Sequence, residues 1–276
     1  MRKEIADCTL IIATYNWPKA LELSLLSVMN QETLPGEVII ADDGSSQNTL
    51  DVVKKFEETF PVPLIHIWHE DKGFRLAEIR NKAFAAASKS YIIQIDGDIM
   101  LHRKFVQDHL RYARPNAFLQ GSRVMLGKKS SERLLSSGSI NVKVWRKDNK
   151  RQENALRILW LSEYLLERYR NRYPIYFSRG ANMSFWRQDI LDVNGYDEGF
   201  QGWGHEDNEL ALRLLNSGKQ KLYLKFSAIA YHLYHPEDKT KKEDARNKAL
   251  LDKSILNQLK KTDNGIKKFH SKHEQQ

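Results

Sequence analysis

The sequence predicts an α/β protein built on a mostly parallel sheet with flanking helices, and three observations carry that prediction. Short apolar runs rich in Ile, Val and Leu alternate with stretches of helical periodicity through the first hundred residues. The helical stretches are about a dozen residues long, enough for a crossover between parallel strands. The apolar runs end in Thr14-Tyr15-Asn16, Asp42-Asp43 and Asp96-Gly97-Asp98. In such sheets ligands bind beyond the carboxyl ends of the strands, so polar residues there mark a site.

In chain order, CTLIIATYN reads as a strand and turn, and ALELSLLSVMNQ as a helix with Leu21, Leu25 and Val28 on one face. EVIIADDGSS is a strand and turn, TLDVVKKFEETF a helix, and PLIHIWHE a strand. AEIRNKAFAAASK is an Ala-rich helix leading into the strand YIIQIDGD. From Lys128 to Tyr173 the pattern is less regular. It holds a Ser-rich basic loop and ALRILWLSEYLLERYRNRYPIYF, an amphipathic helix packed on the sheet or, alternatively, lying on a membrane surface. A Gly- and aromatic-rich stretch follows, then the helix NELALRLL, and KLYLKFSAIAYHLYH is one β-like run before a basic tail. The implied division is 1–125, 126–236 and a helical tail, 237–276.

Composition excludes several classes. No apolar run approaches the roughly 20 residues of a membrane-spanning helix, and MRKEIADCTLIIATYN is too short in its apolar part for a signal core. A cytoplasmic location is the expectation. Cys8 is the only cysteine, so no disulfide framework or Cys-based zinc site exists. Lys and Arg number 44 against 35 Asp and Glu, a net +9, and +6 of it falls between Lys239 and Gln276. A nearly neutral body with a basic tail argues against a nucleic-acid groove. GSRVMLGKKS spaces its glycines wrongly for a P-loop, and GWGHED lacks the third glycine of a dinucleotide fingerprint.

Asp96-Gly97-Asp98 carries the chemistry. Two carboxylates flanking a glycine at a strand end can turn to one side and hold Mg²⁺ or Mn²⁺ on nucleotide phosphates. The alternative is a capped turn. His232 and His235 add imidazoles, giving a mixed N/O set suited to Mn²⁺. Glu206-Asp207 open a helix, where acidic residues also serve as caps. Trp203 and the glycines beside them suit a sugar ring, and a carboxylate there can act as general base on a hydroxyl.

These residues resemble a known family. ATYNWPKAL, ADDGSSQNTLDVV, GFRLAEIRNKAF and YIIQIDGD look like the nucleotide-binding half of inverting family 2 glycosyltransferases with the GT-A fold. RGANMSFWRQDILDVNGYDEGFQGWGHEDNELALRL resembles the carboxyl-terminal region of β-1,4-galactosyltransferases and bacterial chondroitin-type polymerases. The resemblance implies a UDP-sugar donor, a glycan or lipid-linked glycan acceptor, and Mn²⁺, with Mg²⁺ as the substitute. It assigns Thr14, Tyr15, Asn16 and Asp43 or Asp42 to the uridine, Arg75 to the uracil or diphosphate, and Asp96 to the ribose. Asp98 is the implied metal ligand, with His232 or His235 as its imidazole partner. Trp203 and Glu206 would contact the acceptor and Asp207 would be the base. His205 departs from the family, standing where the galactosyltransferase motif has a third glycine. The rival readings are a nucleotidyltransferase and a non-enzymatic binding module using the basic tail. No nucleic-acid partner is expected, and peripheral membrane contact through the tail is the remaining expectation.

Overall fold

A computed structural model describes residues 3–172, 175–236 and 245–270. The chain opens with strand β1 (Glu4–Thr14), helix α1 (Pro18–Met29), β2 (Thr33–Asp42), α2 (Gln47–Glu57), β3 (Leu64–Trp68), α3 (Leu76–Ala86) and β4 (Tyr91–Asp96). Each of these answers to a predicted element. Next come β5 (Ile99–Leu101), α4 (Phe105–Tyr112), β6 (Ala117–Gly121), β7 (Arg123–Met125), α5 (Lys128–Ser137) and α6 (Leu159–Arg168). The second half continues with β8 (Asn182–Trp186), α7 (Arg187–Asp192), α8 (Glu206–Asn216), β9 (Gln220–Leu224), β10 (Ala230–His232), α9 (Ala245–Leu256) and α10 (Lys267–His270).

The central sheet has seven strands in the order β3-β2-β1-β4-β8-β6-β9. Neighbours are parallel except around β8, which runs antiparallel to both β4 and β6. That strand comes from residues 182–186, so the 1–125 and 126–236 segments share one sheet. β1 is buried on both faces, as a central parallel strand must be. Leu10 and Ile12 pack with Leu21, Leu25 and Val28 of α1, while Ile11 and Ala13 turn to the opposite layer with Phe84 of α3 and Leu210 of α8. Burying each such Leu, Ile or Phe contributes about 1.5–3 kcal/mol over leaving it exposed. The predicted face of α1 is therefore the face that seats it.

Three expectations need correction. KLYLKFSAIAYHLYH is not one run: it splits into β9 at the edge of the large sheet and β10 in a second sheet, ordered β5-β10-β7. Positive φ at Phe226 and Ala228 turns the chain between them. The long helix read from 155 to 177 is confined to α6. It packs through Leu166 and a Ser162–Ser227 hydroxyl pair, leaving Trp160 and Tyr164 exposed. The described part of the basic tail is no appendage. Leu251 of α9 packs on Phe200 and Leu212, and Ile266 enters the layer under α3 and α8. Apolar residues spaced among the lysines explain this, because a charged helix can still bury one face. The Lys-rich positions 239–242 and 272 lie outside the described residues. Among the described residues, no helix is long and apolar enough to cross a membrane.

Candidate active site

The carboxyl ends of β1, β2 and β4 lie side by side, because Thr14 registers with Asp42 and Ala13 with Asp96. Thr14 is buried, whereas Tyr15 is half exposed and donates its hydroxyl to Asp71 at 2.9 Å. Asn16 takes a left-handed φ of 46°, a conformation Asn tolerates well, and accepts from the Ser46 amide. Both members of the Asp42-Asp43 pair are buried and engaged. Asp42 accepts from the Ser45 amide and pairs with His66; Asp43 pairs with His69 at 2.6 Å and accepts from the Arg75 amide. These contacts tie the loops to the strand ends. The Arg75 guanidinium is likewise occupied, by Glu78 and the Glu70 carbonyl, and is not grouped with Asp96 or Asp98.

Asp98 meets both candidate histidines. His232 Nε2 lies 3.4 Å and His235 Nε2 3.6 Å from Asp98 Oδ2. One ligand atom from each of the three residues falls within a 4.8 Å cluster. Both histidines are therefore near enough to Asp98 to be candidate ligands. β10 brings them there by pairing antiparallel to β5, with His232 opposite Ile99, the residue after Asp98. Burial, with Arg123 and His235 nearby, pushes the His232 imidazole down to about 3. It is thus neutral near pH 7 and able to offer a lone pair. A carboxylate with two imidazoles is a donor set that fits Mn²⁺ or a similar divalent ion.

Across the strand ends stand Glu206 and Asp207, in the first turn of α8. Gly202 and Gly204 have φ of 75° and 108°, and His205 has 71°. The departure from the family thus falls at a backbone position that favours glycine. Trp203 is 47% exposed on this loop, open to a ligand. Asp207 is orientated from three sides: Gly180 N–H donates to Oδ2 at 2.6 Å, and Arg80 and the Tyr196 hydroxyl donate to Oδ1 at 3.0 and 2.9 Å. Glu206 is buried, and its Oε2 has no hydrogen-bond partner among the described residues. Burial, then the adjacent Asp207, pushes its carboxyl up to about 7. That value suits proton exchange near neutral pH.

The residue that joins the two sides is Arg80, which sequence reasoning missed. It is fully buried, donates to Asp96 and Asp207, and lies 3.8 Å from Glu206. A signal was present in the sequence: Arg80 falls on the same helical stripe as Ala77 and Phe84, where a charge needs a buried partner. Tyr196 was missed too. It stacks on Phe84, and its hydroxyl joins Gln94 to Asp207.

Comparison with known proteins agrees with this architecture. Residues 9–185 match the family described as glycosyl transferase family 2, and residues 164–236 match the N-terminal domain of galactosyltransferase. The first match spans more than half of the chain. The chain belongs to glycosyl transferase family 2 and is a glycosyltransferase. It is 28% identical to a chondroitin synthase of Escherichia coli over 269 residues, covering 88% of this chain and 37% of that protein. It is also 28% identical to a validoxylamine A glucosyltransferase of Streptomyces hygroscopicus subsp. limoneus, covering 75% of this chain and 47% of that one. The chain therefore spans less than half the length of these relatives. Among solved structures, the mannosyltransferase PcManGT from Pyrobaculum calidifontis, in complex with GDP-Man and Mn²⁺, superposes with a TM-score of 0.56 at 16% identity. It covers 84% of this chain and 58% of that one. S. aureus TarS gives a TM-score of 0.59 at 20% identity, with 91% and 40% covered. At such identities the likeness is one of fold, and that fold is GT-A.

Proposed function

We propose that this glycosyltransferase moves a sugar from a UDP-sugar, of galactose or N-acetylgalactosamine type, to a hydroxyl of a glycan acceptor with inversion at the anomeric carbon. Mn²⁺ is the proposed cofactor, and bacterial surface polysaccharide is the proposed product class. The observation that carries the reading is the convergence of Asp98, His232 and His235 on one side of Arg80, with Glu206 and Asp207 on the other. A metal ion at Asp98 would offset the charge that grows on the departing diphosphate.

The chain's own residues do the rest. Asp96 and the residues after β1 bound the donor side, and Trp203 offers an indole face to the acceptor sugar. The acceptor oxygen attacks the anomeric carbon as the bond from that carbon to the diphosphate breaks. Its proton passes to Asp207, which Arg80, Tyr196 and Gly180 hold in one orientation. Glu206 Oε2 is available to accept a hydrogen bond from an acceptor hydroxyl. Fixing the base in this way lowers the barrier by pre-organisation rather than by basicity alone.

The test is UDP release from a panel of UDP-sugars, with and without Mn²⁺, for the wild type and Asp98→Ala. Metal-dependent hydrolysis of one donor, lost in the variant, supports the reading and names the sugar. No turnover together with no Mn²⁺-dependent UDP binding would overturn it. A second, compatible element is peripheral membrane contact, favoured by the exposed Trp160 and Tyr164 of α6, at 75% and 60% exposure. No co-sedimentation of the wild type with anionic liposomes would rule out that contact, and co-sedimentation that survives Trp160→Ser would take it away from Trp160.

A further inference from the structure

One cleft beside the site gathers three arginines and two buried serines among amide and apolar side chains. It is small, with a cavity volume of about 50 Å³, and its walls include Arg123, Arg151, Arg179, Ser122 and Ser178. Among the described residues no Asp or Glu lines it and none of the three arginines has an acidic partner within ion-pair distance, although Arg123 is near enough to Asp96 to act on its charge. Ser122 and Ser178 are only 6% and 5% exposed, and neither hydroxyl has a hydrogen-bond partner among the described residues. The Nε of Arg123 is also buried and unpartnered. Burial, then the positive charges of Arg123 and Arg151, hold Arg179 below its ordinary guanidinium value.

Like charges held together over buried, unpaired hydroxyls cost free energy unless an anion completes them. Serine hydroxyls and guanidinium forks are well matched to carboxylate or phosphate oxygens. The cleft's position says which substrate would bring that anion. Arg179 precedes Gly180, whose amide holds Asp207, the proposed base. Arg123 faces Ala230 on β10, two residues before His232. The cleft thus adjoins residues next to both the proposed base and the proposed metal ligands, and since a metal at Asp98 would meet the donor's diphosphate, the acceptor is the substrate left to bring an anion here.

We infer that Arg123, Arg151, Arg179, Ser122 and Ser178 form an anion subsite for a carboxylate or phosphate group on the acceptor glycan. The inference rests on the transferase reading of the adjoining site and adds to it the chemical class of acceptor: an acidic glycan rather than a neutral one. The subsite would seat the charged residue next to the sugar whose hydroxyl reacts, and so fix the acceptor's register.

The experiment is equilibrium binding of three oligomers to the full chain: a uronate-containing tetrasaccharide, its carboxyl-reduced neutral counterpart, and a short glycerol-phosphate oligomer. UDP with Mn²⁺ is titrated in parallel. The wild type should bind one of the two acidic oligomers at least about tenfold more tightly than the neutral one, the scale of one charge-assisted pair. Which acidic oligomer wins identifies the anion. Arg151→Gln and Arg179→Gln, both at exposed positions, should remove that preference, Arg179→Lys should retain part of it, and all three should bind UDP as the wild type does. Equal binding of acidic and neutral oligomers, or no binding of either acidic one, overturns the inference. Arginine variants that weaken UDP instead would assign the cleft to the donor, which also overturns it. Absence of UDP binding by the wild type would count against the transferase reading, and is scored separately from the acidic-to-neutral ratio.

Discussion

Asp96 and Asp207 are held by the two arms of one guanidinium: Arg80 Nη2 donates to Asp96 at 2.9 Å and Nη1 to Asp207 at 3.0 Å. The carboxylates on the proposed donor and acceptor sides are thereby locked to each other across the strand ends. Arg80 is 1% exposed, so its charge depends on these carboxylates, which are themselves partly open to solvent. Removing one partner of a buried ion pair typically costs about 3–5 kcal/mol, because the others are left uncompensated. Arg80→Gln should lose stability on that scale in urea denaturation and activity with it. Arg80→Lys keeps a charge but cannot fork to both carboxylates, so it should fold better than Gln while turning over poorly. A fully active Arg80→Lys enzyme would show that the bridge is not needed for alignment.

Asp207, the proposed base, and Glu206, the proposed acceptor contact, are adjacent, and their variants should separate the two proposed roles. Asp207→Asn keeps the size and some of the hydrogen bonds yet cannot take a proton. Its UDP and Mn²⁺ binding should match wild type while transfer falls by roughly 10²–10⁴, the usual weight of a general base. Rapid single-turnover measurement with donor and acceptor decides it. Near-normal turnover would remove Asp207 from the role.

Glu206 predicts a pH effect on stability. Its carboxyl is raised above the unfolded value by burial and then by Asp207. The folded state therefore prefers the protonated form, and stability present below the unfolded value near 4.5 is lost as pH rises through about 7. Glu206→Gln abolishes that loss. The variant should match the wild type near pH 4.5 and exceed it by a few kcal/mol, on the order of 3, near pH 8. Parallel urea titrations at the two pH values check this; a pH-independent difference would contradict it.

Much of the donor half was legible in the sequence because parallel strands buried on both faces read as apolar runs, as β1, β2 and β4 do. The polar ends of those runs pointed to the site, and the cluster of Asp98, His232 and His235 lies where they pointed. Other features were invisible to local pattern. β8 inserts antiparallel between β4 and β6, a pairing set by a long connection rather than by any periodicity. Arg80 and Tyr196 matter because of partners far along the chain. The pairing of Asp42 with His66 and of Asp43 with His69 was equally invisible, because the histidines lie 24 and 26 residues further along the chain.

The basic tail shows the same limit, and its role is directly testable. Asn247 of α9 is fully buried and donates to the carbonyls of Gln201 and Gly204, at 3.0 and 3.1 Å. It therefore braces the loop that carries Trp203. Asn247→Ala strips both bonds, at about 0.5–1.5 kcal/mol each. The acceptor KM should rise several-fold with the donor KM unchanged. Equal effects on both would mean the loop is not specific to the acceptor. Truncation at Pro236 goes further, uncovering Phe200 and Leu212 and withdrawing Ile266 from the core. It should unfold the protein rather than merely release it from a surface.

The metal prediction turns on the difference in burial between two histidines. His232 is buried, with its side chain 9% exposed, whereas that of His235 is 44% exposed. His232 is already neutral near pH 7, so it has no proton to displace when a cation arrives. An ion that binds only the folded state stabilises it by about 2.7 kcal/mol at a hundredfold excess over its Kd. Mn²⁺ should raise the Tm of the wild type accordingly, and EDTA should reverse the shift. Asp98→Asn and His232→Ala should abolish the Mn²⁺-dependent part. His235→Ala should keep some of it, because an exposed ligand can be replaced by water. An unchanged Mn²⁺ shift in Asp98→Asn would place the ion elsewhere.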